Sequence, residues 1–440
     1  MLSAAEAARR LGVKPETLYA YVSRGMLTRH PAPDGRRSLF ERAEIERLAA
    51  RNRRGGRAGA LEVVIDTEVT LIDPAGALYY RGHDATRLAR ERTYEEVAEL
   101  LWADARGPRA GGDDARALRA GGDAARGPRA GGHDAAESRA GGDASGSAPW
   151  VAAGGGAVAA ADAVVARGAR LVDRLRVIVA LAAAADPLRN DLRPPVVRHA
   201  ARGLIAAMVD GLPRRSEAVD GTVAARLWSR LHDVAPEPAR LRALNAALVL
   251  LADHELAVSA LAARVAASAW ADPYLVVLAG LSALGGPLHG GAPGAVERLF
   301  AQLREPGDVA AALGERLAAG ESLPGFGHKI YRGADPRAET LLGLVREASP
   351  ERQPVIDEVL RLAGRHDGPK PNVDLALGAM SDAFGFVPGA AETIFAIART
   401  AGFIAQALEE YPHRLRFRAK AAYVGAAPEA AAGRRGNGPR

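Results

Sequence analysis

The chain carries 440 residues, a formal charge of +6 and no cysteine. That length exceeds one small core, so a large enzyme-sized domain with an added module, or two to three medium domains, is the starting expectation; the missing thiols exclude disulfides, thiolate metal sites and cysteine nucleophiles, and fit a cytoplasmic protein. No apolar run approaches the roughly 18 to 20 residues of a membrane span, and Met1 to Arg10 lacks a basic start followed by an apolar middle, so neither a membrane protein nor an exported one is expected.

Ala, Leu and Val dominate the apolar residues while aromatics are only 5%, a balance that favours helices and points to an all-α fold. The positive charge is local. Residues 1–60 hold 13 Lys and Arg against 6 Asp and Glu, a net +7, and the rest of the chain sums to about −1, so any nucleic-acid partner belongs to the N-terminal segment. There Ser3 is placed to cap a short helix over Ala4–Leu11, Gly12-Val13 makes a turn, and Lys14-Pro15 opens a second helix that runs to Val22 and closes at Gly25. Pro33-Asp34-Gly35 followed by Arg36-Arg37-Ser38-Leu39-Phe40 reads as a basic hairpin or wing, and a third helix follows from about Glu41 to Ala50. Residues 1–50 thus form one domain, and the Arg/Gly/Ala-rich residues 51–60 a linker to the remainder, 61–440.

Beyond Trp102 the tetrad Arg-Ala-Gly-Gly recurs at 109–112, 119–122, 129–132 and 139–142. Such units lack the apolar residues to pack even one solenoid coil, so 103–148 reads as a low-complexity surface insertion without chemistry. From Ala157 to Glu410, Ala/Leu/Val runs at helical spacing are broken by Pro and Gly clusters, the pattern of many packed helices; residues 426–440 read as a frayed tail.

Three segments put titratable side chains inside Gly- or Pro-marked turns, where a backbone can approach a ligand closely. They are Gly286-Pro287-Leu288-His289-Gly290-Gly291, Gly325-Phe326-Gly327-His328-Lys329-Ile330-Tyr331-Arg332-Gly333-Ala334-Asp335-Pro336-Arg337, and Pro371-Asn372-Val373-Asp374. Each also has a plain reading, the histidines as loop residues and Asn-Val-Asp as a helix cap.

Together and in this order these segments resemble the citrate synthase family, from about Leu61 to Gly425 with only the repeat insertion unmatched; Tyr79-Tyr80-Arg81-Gly82-His83-Asp84, Ala252-Asp253-His254-Glu255 and Phe395-Ala396-Ile397-Ala398-Arg399-Thr400 add to the likeness. The resemblance implies a large helical domain and a smaller one of about 290–382, with the site in the cleft between them. It implies condensation of acetyl-CoA with oxaloacetate, no cofactor or metal beyond the coenzyme A thioester, and a homodimer. Asp374 would be the base, His289 the donor to the thioester carbonyl, and His328 the group that polarises the ketone. Arg337 and Arg399 would bind the dicarboxylate with His254, joined by Arg418 from the partner subunit, while Arg332, Gly325 and Gly327 would meet coenzyme A. Leu251 stands where the family commonly has a histidine, Pro293 where an Asn is common and Gln406 where bacterial members often have His, which leaves the choice of oxo acid, and of acetyl- or propionyl-CoA, open.

Residues 3–40 resemble a MerR-type or excisionase-type winged helix-turn-helix, through Glu6-Ala7-Ala8, Leu11-Gly12-Val13, Thr17-Leu18-Tyr19 and Gly35-Arg36-Arg37. The resemblance assigns Arg24, Arg29, Arg36 and Arg37 to duplex DNA. Two classes follow: an enzyme with a tethering or regulatory module, or a transcription regulator that uses the synthase fold as a metabolite sensor.

Overall fold

Proline punctuates this chain. It occupies the first or second position of seven helices, where its missing N–H would be unbonded in any case and its fixed φ starts the turn. The computed structural model describes residues 1–11, 22, 27–31, 38–42, 44–45, 64–73, 76–103, 150–152, 155–166, 168–331, 333–364 and 369–418. They divide into two compact units, residues 1–66 and 67–440.

In the first unit, β1 (Leu2–Ser3), α1 (Ala4–Leu11), β2 (Arg29–Pro31) and β3 (Ser38–Phe40) form an antiparallel sheet of order β1-β3-β2 beside one helix. The Ser3 hydroxyl accepts from the Glu6 amide and the Glu6 carboxylate accepts from the Ser3 amide, a reciprocal cap. Ala7, Ala8 and Leu11 on the inner face of α1 are buried with Leu2, Leu27, Phe40 and Ile45. β2 pairs antiparallel with β3, His30 opposite Leu39, and the turn of the expected wing, residues 33–37, lies outside the described residues. Of the expected second helix only Val22 is described.

The second unit starts with a meander of β4 (Thr70–Ile72), β5 (Leu78–Tyr80) and β6 (His83–Asp84). Helices follow in order: α2 (Ala85–Glu91), α3 (Tyr94–Trp102), α4 (Gly155–Val164), α5 (Leu171–Ala185), α6 (Pro194–Asp210), α7 (Val223–Leu231), α8 (Pro238–Leu251), α9 (Val258–Ser268), α10 (Pro273–Leu284), α11 (Ala292–Phe300), α12 (Pro306–Ala318), α13 (Pro336–Ala348), α14 (Gln353–Ala363), α15 (Val373–Ala383) and α16 (Ala390–Glu410). The expected all-α body is present, with only these short strands added. Residues 103–148 and 426–440 lie outside the described residues, apart from Ala103. No helix among the described residues is long and apolar enough to cross a membrane.

Helix α16 is buried along nearly its whole length and packs against α3, α5, α6, α8, α9, α10, α11 and α15. Small residues make that crowding possible. A Cβ on Gly402 would lie 2.4 Å from both the Ala252 carbonyl and the Asp253 carboxylate, so only glycine lets the turn after α8 press against α16. Aromatic side chains tie other elements to it through the spare lone pairs of helical carbonyls: the Tyr94 hydroxyl donates to Ile397 and Ala398, and the Trp102 indole to Ala401.

Candidate active site

Six side chains from separate elements converge on one cleft of ≈ 940 Å³: His254, His289, His328, Arg337, Asp374 and Arg399. The turn after α8 supplies His254, the glycine-rich turn between α10 and α11 His289, and the loop before α13 His328. Arg337 lies in the first turn of α13, Asp374 in the first turn of α15 and Arg399 midway along α16.

The loops carrying His328 and Asp374 are sewn together by main-chain groups. The Gly327 amide donates to Lys370, the Asn372 amide to the Gly325 carbonyl, and the Asn372 side chain to the Gly327 carbonyl. Asn372 also caps α15, accepting from Asp374 and Leu375, so the cap reading of this segment holds while Asp374 also lines the cleft. Gly325 and Gly327 each have φ of +82°, and a Cβ on Gly325 would lie 2.7 Å from that of Leu375. The positive φ lets the loop lie flat on α15.

The imidazoles are held neutral by burial and the neighbouring arginines. His328 Nδ1 accepts from the amides of Ile330 and Tyr331 at 3.1 and 3.2 Å, and Arg337 Nη2 lies 3.4 Å from Nε2; two shorter amide contacts against one longer one favour the tautomer with its proton on Nε2. Burial, and then the nearby Arg337, lower its pKa to about 4. The Ser259 hydroxyl meets His289 Nε2 at 2.7 Å; burial, then Arg399 and Arg337, bring that ring to about 4 as well. His254 is pushed well below its ordinary value by burial and the same two arginines, and its Nε2 lies 3.0 Å from the Tyr331 hydroxyl. Asp374 moves the other way: burial raises its pKa to about 6, opposed by Arg337 and Arg399.

Both arginines are buried. Arg337 makes a bidentate pair with Asp335, whose second oxygen also accepts from the Val373 amide at the start of α15. Although burial alone would lower it, the Asp335 carboxylate holds the Arg337 pKa above its ordinary value. Arg399 donates Nε–H to the Leu251 carbonyl at 2.7 Å, and its Nη1 has no protein partner. Where a family histidine is missing, the Leu251 backbone therefore still braces this arginine. An orphaned guanidinium nitrogen in a cleft with a second arginine is suited to a carboxylate.

Arg418 is exposed beyond α16 and does not line its own chain's cleft. Arg29 is exposed on β2, whereas Arg24, Arg36, Arg37 and Arg332 lie outside the described residues. Ser259, Tyr331 and Asp335 brace the site and were given no role in the sequence reading; for Asp335 the Asp-Pro step ahead of Arg337 was a usable signal of a helix cap. A second cavity, ≈ 970 Å³, shares Pro287 and Arg298 with the cleft. Its carboxylates are engaged: Glu392 by Arg170, Asp382 by Arg352, and Glu297 by Ser381, Gly389 and Ala391.

Solved structures share this helical fold. The citrate synthase of Pyrobaculum aerophilum superposes with a TM-score of 0.63 at 23% identity, covering 83% of this chain and 91% of that one. That of Thermoplasma acidophilum, in a ternary complex with carboxymethyl coenzyme A and oxaloacetate, gives 0.62 at 24% identity over 86% and 97%. The chain belongs to the citrate synthase family, residues 155–420 matching its C-terminal domain, and residues 1–53 match a helix-turn-helix domain. Citrate synthase 2 of Bacillus subtilis is 30% identical over 51% of this chain and 62% of its own length. The citrate synthase of Saccharolobus solfataricus is 36% identical over 43% and 53%, and 2-methylcitrate synthase 2 of Corynebacterium glutamicum 31% over 46% and 56%. The chain thus spans less than two thirds of the length of these relatives.

Proposed function

We propose that the chain is a citrate synthase-type acyltransferase that condenses acetyl-CoA with oxaloacetate and, after hydrolysis by water, releases citrate and CoA. The observation that carries this reading is a buried carboxyl group, Asp374, in one cleft with two neutral histidines and two arginines. A thioester methyl group is a very weak carbon acid, so its proton moves to Asp374 only if the enolate oxygen meets a donor at once. His289 is that donor: Ser259 donates to Nε2 and leaves the proton on Nδ1 for the thioester oxygen. The enol carbon attacks the ketone of the oxo acid, whose oxygen His328 Nε2–H polarises and then neutralises as an alkoxide. Arg337 and Arg399 hold the two carboxylates with His254, and Arg418 of a second subunit completes their cage. Arg332, Gly325 and Gly327 take the coenzyme A end. Purified chain assayed for thiol release with acetyl- or propionyl-CoA and a series of 2-oxo acids decides the matter; no release from any pair overturns it.

The Corynebacterium relative supports a second substrate pair, propionyl-CoA giving 2-methylcitrate, which the same assay separates. We further propose a cytoplasmic homodimer, with residues 51–60 a linker, 103–148 an inert insertion and 290–382 the smaller domain. The helix-turn-helix match and the +7 charge of residues 1–60 support duplex DNA contact through Arg24, Arg29, Arg36 and Arg37. Replacing Arg36 and Arg37 by Ala lowers affinity for all sequences alike and flattens its salt dependence, as phosphate contacts require. No retention of duplex DNA by the full chain at low salt overturns the DNA reading, and DNA binding without condensation by any substrate pair favours a regulator over an enzyme.

A further inference from the structure

Tyr331 touches three groups of the site. Its hydroxyl is 3.0 Å from His254 Nε2, its amide donates to His328 Nδ1, its ring lies 4.6 Å from the His328 ring, and the Arg337 guanidinium sits 5.6 Å above that ring. The side chain is 5% exposed, so these contacts are shielded from water. It is not among the residues that line the cleft.

We propose that Tyr331 is the positioning residue that sets both substrate-facing imidazoles, its amide fixing His328 and its hydroxyl fixing His254 as opposite tautomers. A phenol is a better donor than acceptor and neutral imidazole nitrogen a good acceptor, so the O–H points at Nε2 and the His254 proton resides on Nδ1. Burial pushes the Tyr331 pKa up to about 12, which keeps that proton on the phenol. His328 is set the other way, Nδ1 bare and Nε2–H available. Both rings then offer an N–H, not a lone pair, to an anionic oxo acid, and neither needs a positive charge to do so. Without the hydroxyl His254 is free to exchange tautomers and turn a lone pair on the substrate, a repulsive contact in a buried site.

This role rests on the proposed condensation, so its test has an arm that does not depend on turnover. In the full chain, Tyr331→Phe removes only the hydroxyl and Tyr331→Leu the ring as well. For Tyr331→Phe the oxo-acid KM, and the Kd for oxaloacetate alone by calorimetry, rise about tenfold, the size of one buried hydrogen bond; kcat falls less and the thioester KM stays put. Tyr331→Leu adds a loss in kcat, because His328 loses its ring support. With ¹⁵N-histidine labelling and His254→Gln to assign the resonance, His254 Nε2 of the parent protein has the shift of an unprotonated nitrogen, and Tyr331→Phe gives tautomer averaging. An unchanged His254 spectrum in Tyr331→Phe, or an unchanged oxaloacetate Kd, overturns the assignment. A parent protein that condenses no pair yet shows the spectral change refutes the condensation reading alone.

Discussion

Asp374 combines two demands that conflict. As the proposed base it must be ionised, yet its surroundings raise its pKa to about 6, so the folded protein holds its proton to a higher pH than the unfolded chain does. Condensation therefore falls off on the acid side with an apparent pKa near 6, measured as kcat/KM across pH. Asp374→Asn keeps the shape but cannot take the proton, and kcat drops by about 10²- to 10⁴-fold while CoA still binds. The same change alters stability with a definite sign. A carboxyl whose folded pKa is raised adds stability below its ordinary pKa and loses it as pH rises through about 6. The Asn variant therefore melts above the parent at pH 8, and the gap closes towards pH 4; equal melting temperatures at both would show that Asp374 is not held in a desolvated place. At this scale the sequence was most readable where glycine or proline flanked the functional group, as at His289, His328 and Asp374. Ser259 and Tyr331 were not, because they act on histidines 30 and 77 residues away, and no local pattern encodes such a meeting.

Between elements the decisive feature is the stitch that joins 325–327 to 370–372 and so makes the His328 loop and the start of α15 one piece. Gly325→Ala strains a φ of +82° and drives a methyl group into Leu375; a loss of about 1–3 kcal/mol by denaturant titration is expected. Activity under folding conditions falls as well, because the stitch sets the spacing of His328 and Asp374; a stable variant with normal kcat would separate the two. Helix starts carry a local signal, an Asp cap ahead of Pro as at Asp272-Pro273 and Asp335-Pro336, or the Asn372 cap read from the sequence. The wing around β3 was legible from its Pro-Asp-Gly turn, but β1 and β4 to β6 were not, since two or three residues are too few for an alternating pattern to stand out.

For the whole molecule, the three neutral imidazoles couple folding to pH. His289 and His328 have folded pKa values of about 4, and burial holds His254 well below its ordinary value. Groups with depressed folded pKa stabilise above the ordinary histidine value and cease to do so as pH falls towards about 4, because the unfolded chain takes up protons that the native state refuses. The melting temperature should therefore fall between pH 7 and 5, and less so in a His289→Gln variant; a flat profile would contradict neutral buried rings. Removal of residues 104–147 should leave solubility and turnover nearly unchanged, since a Gly/Asp/Arg repeat buries little apolar surface. The helical body was legible from composition, but the central place of α16 was not, because an Ala-rich helix buried on all sides carries no polar face to orient it. That place has a consequence for synthesis. A ribosome makes the eight helices that pack on α16 before α16 itself, so the faces they turn to it stay wet until residue 410 has been joined, and such exposed apolar surface is prone to aggregation late in translation. The described core of residues 1–66, by contrast, draws on no residue later than Ile45.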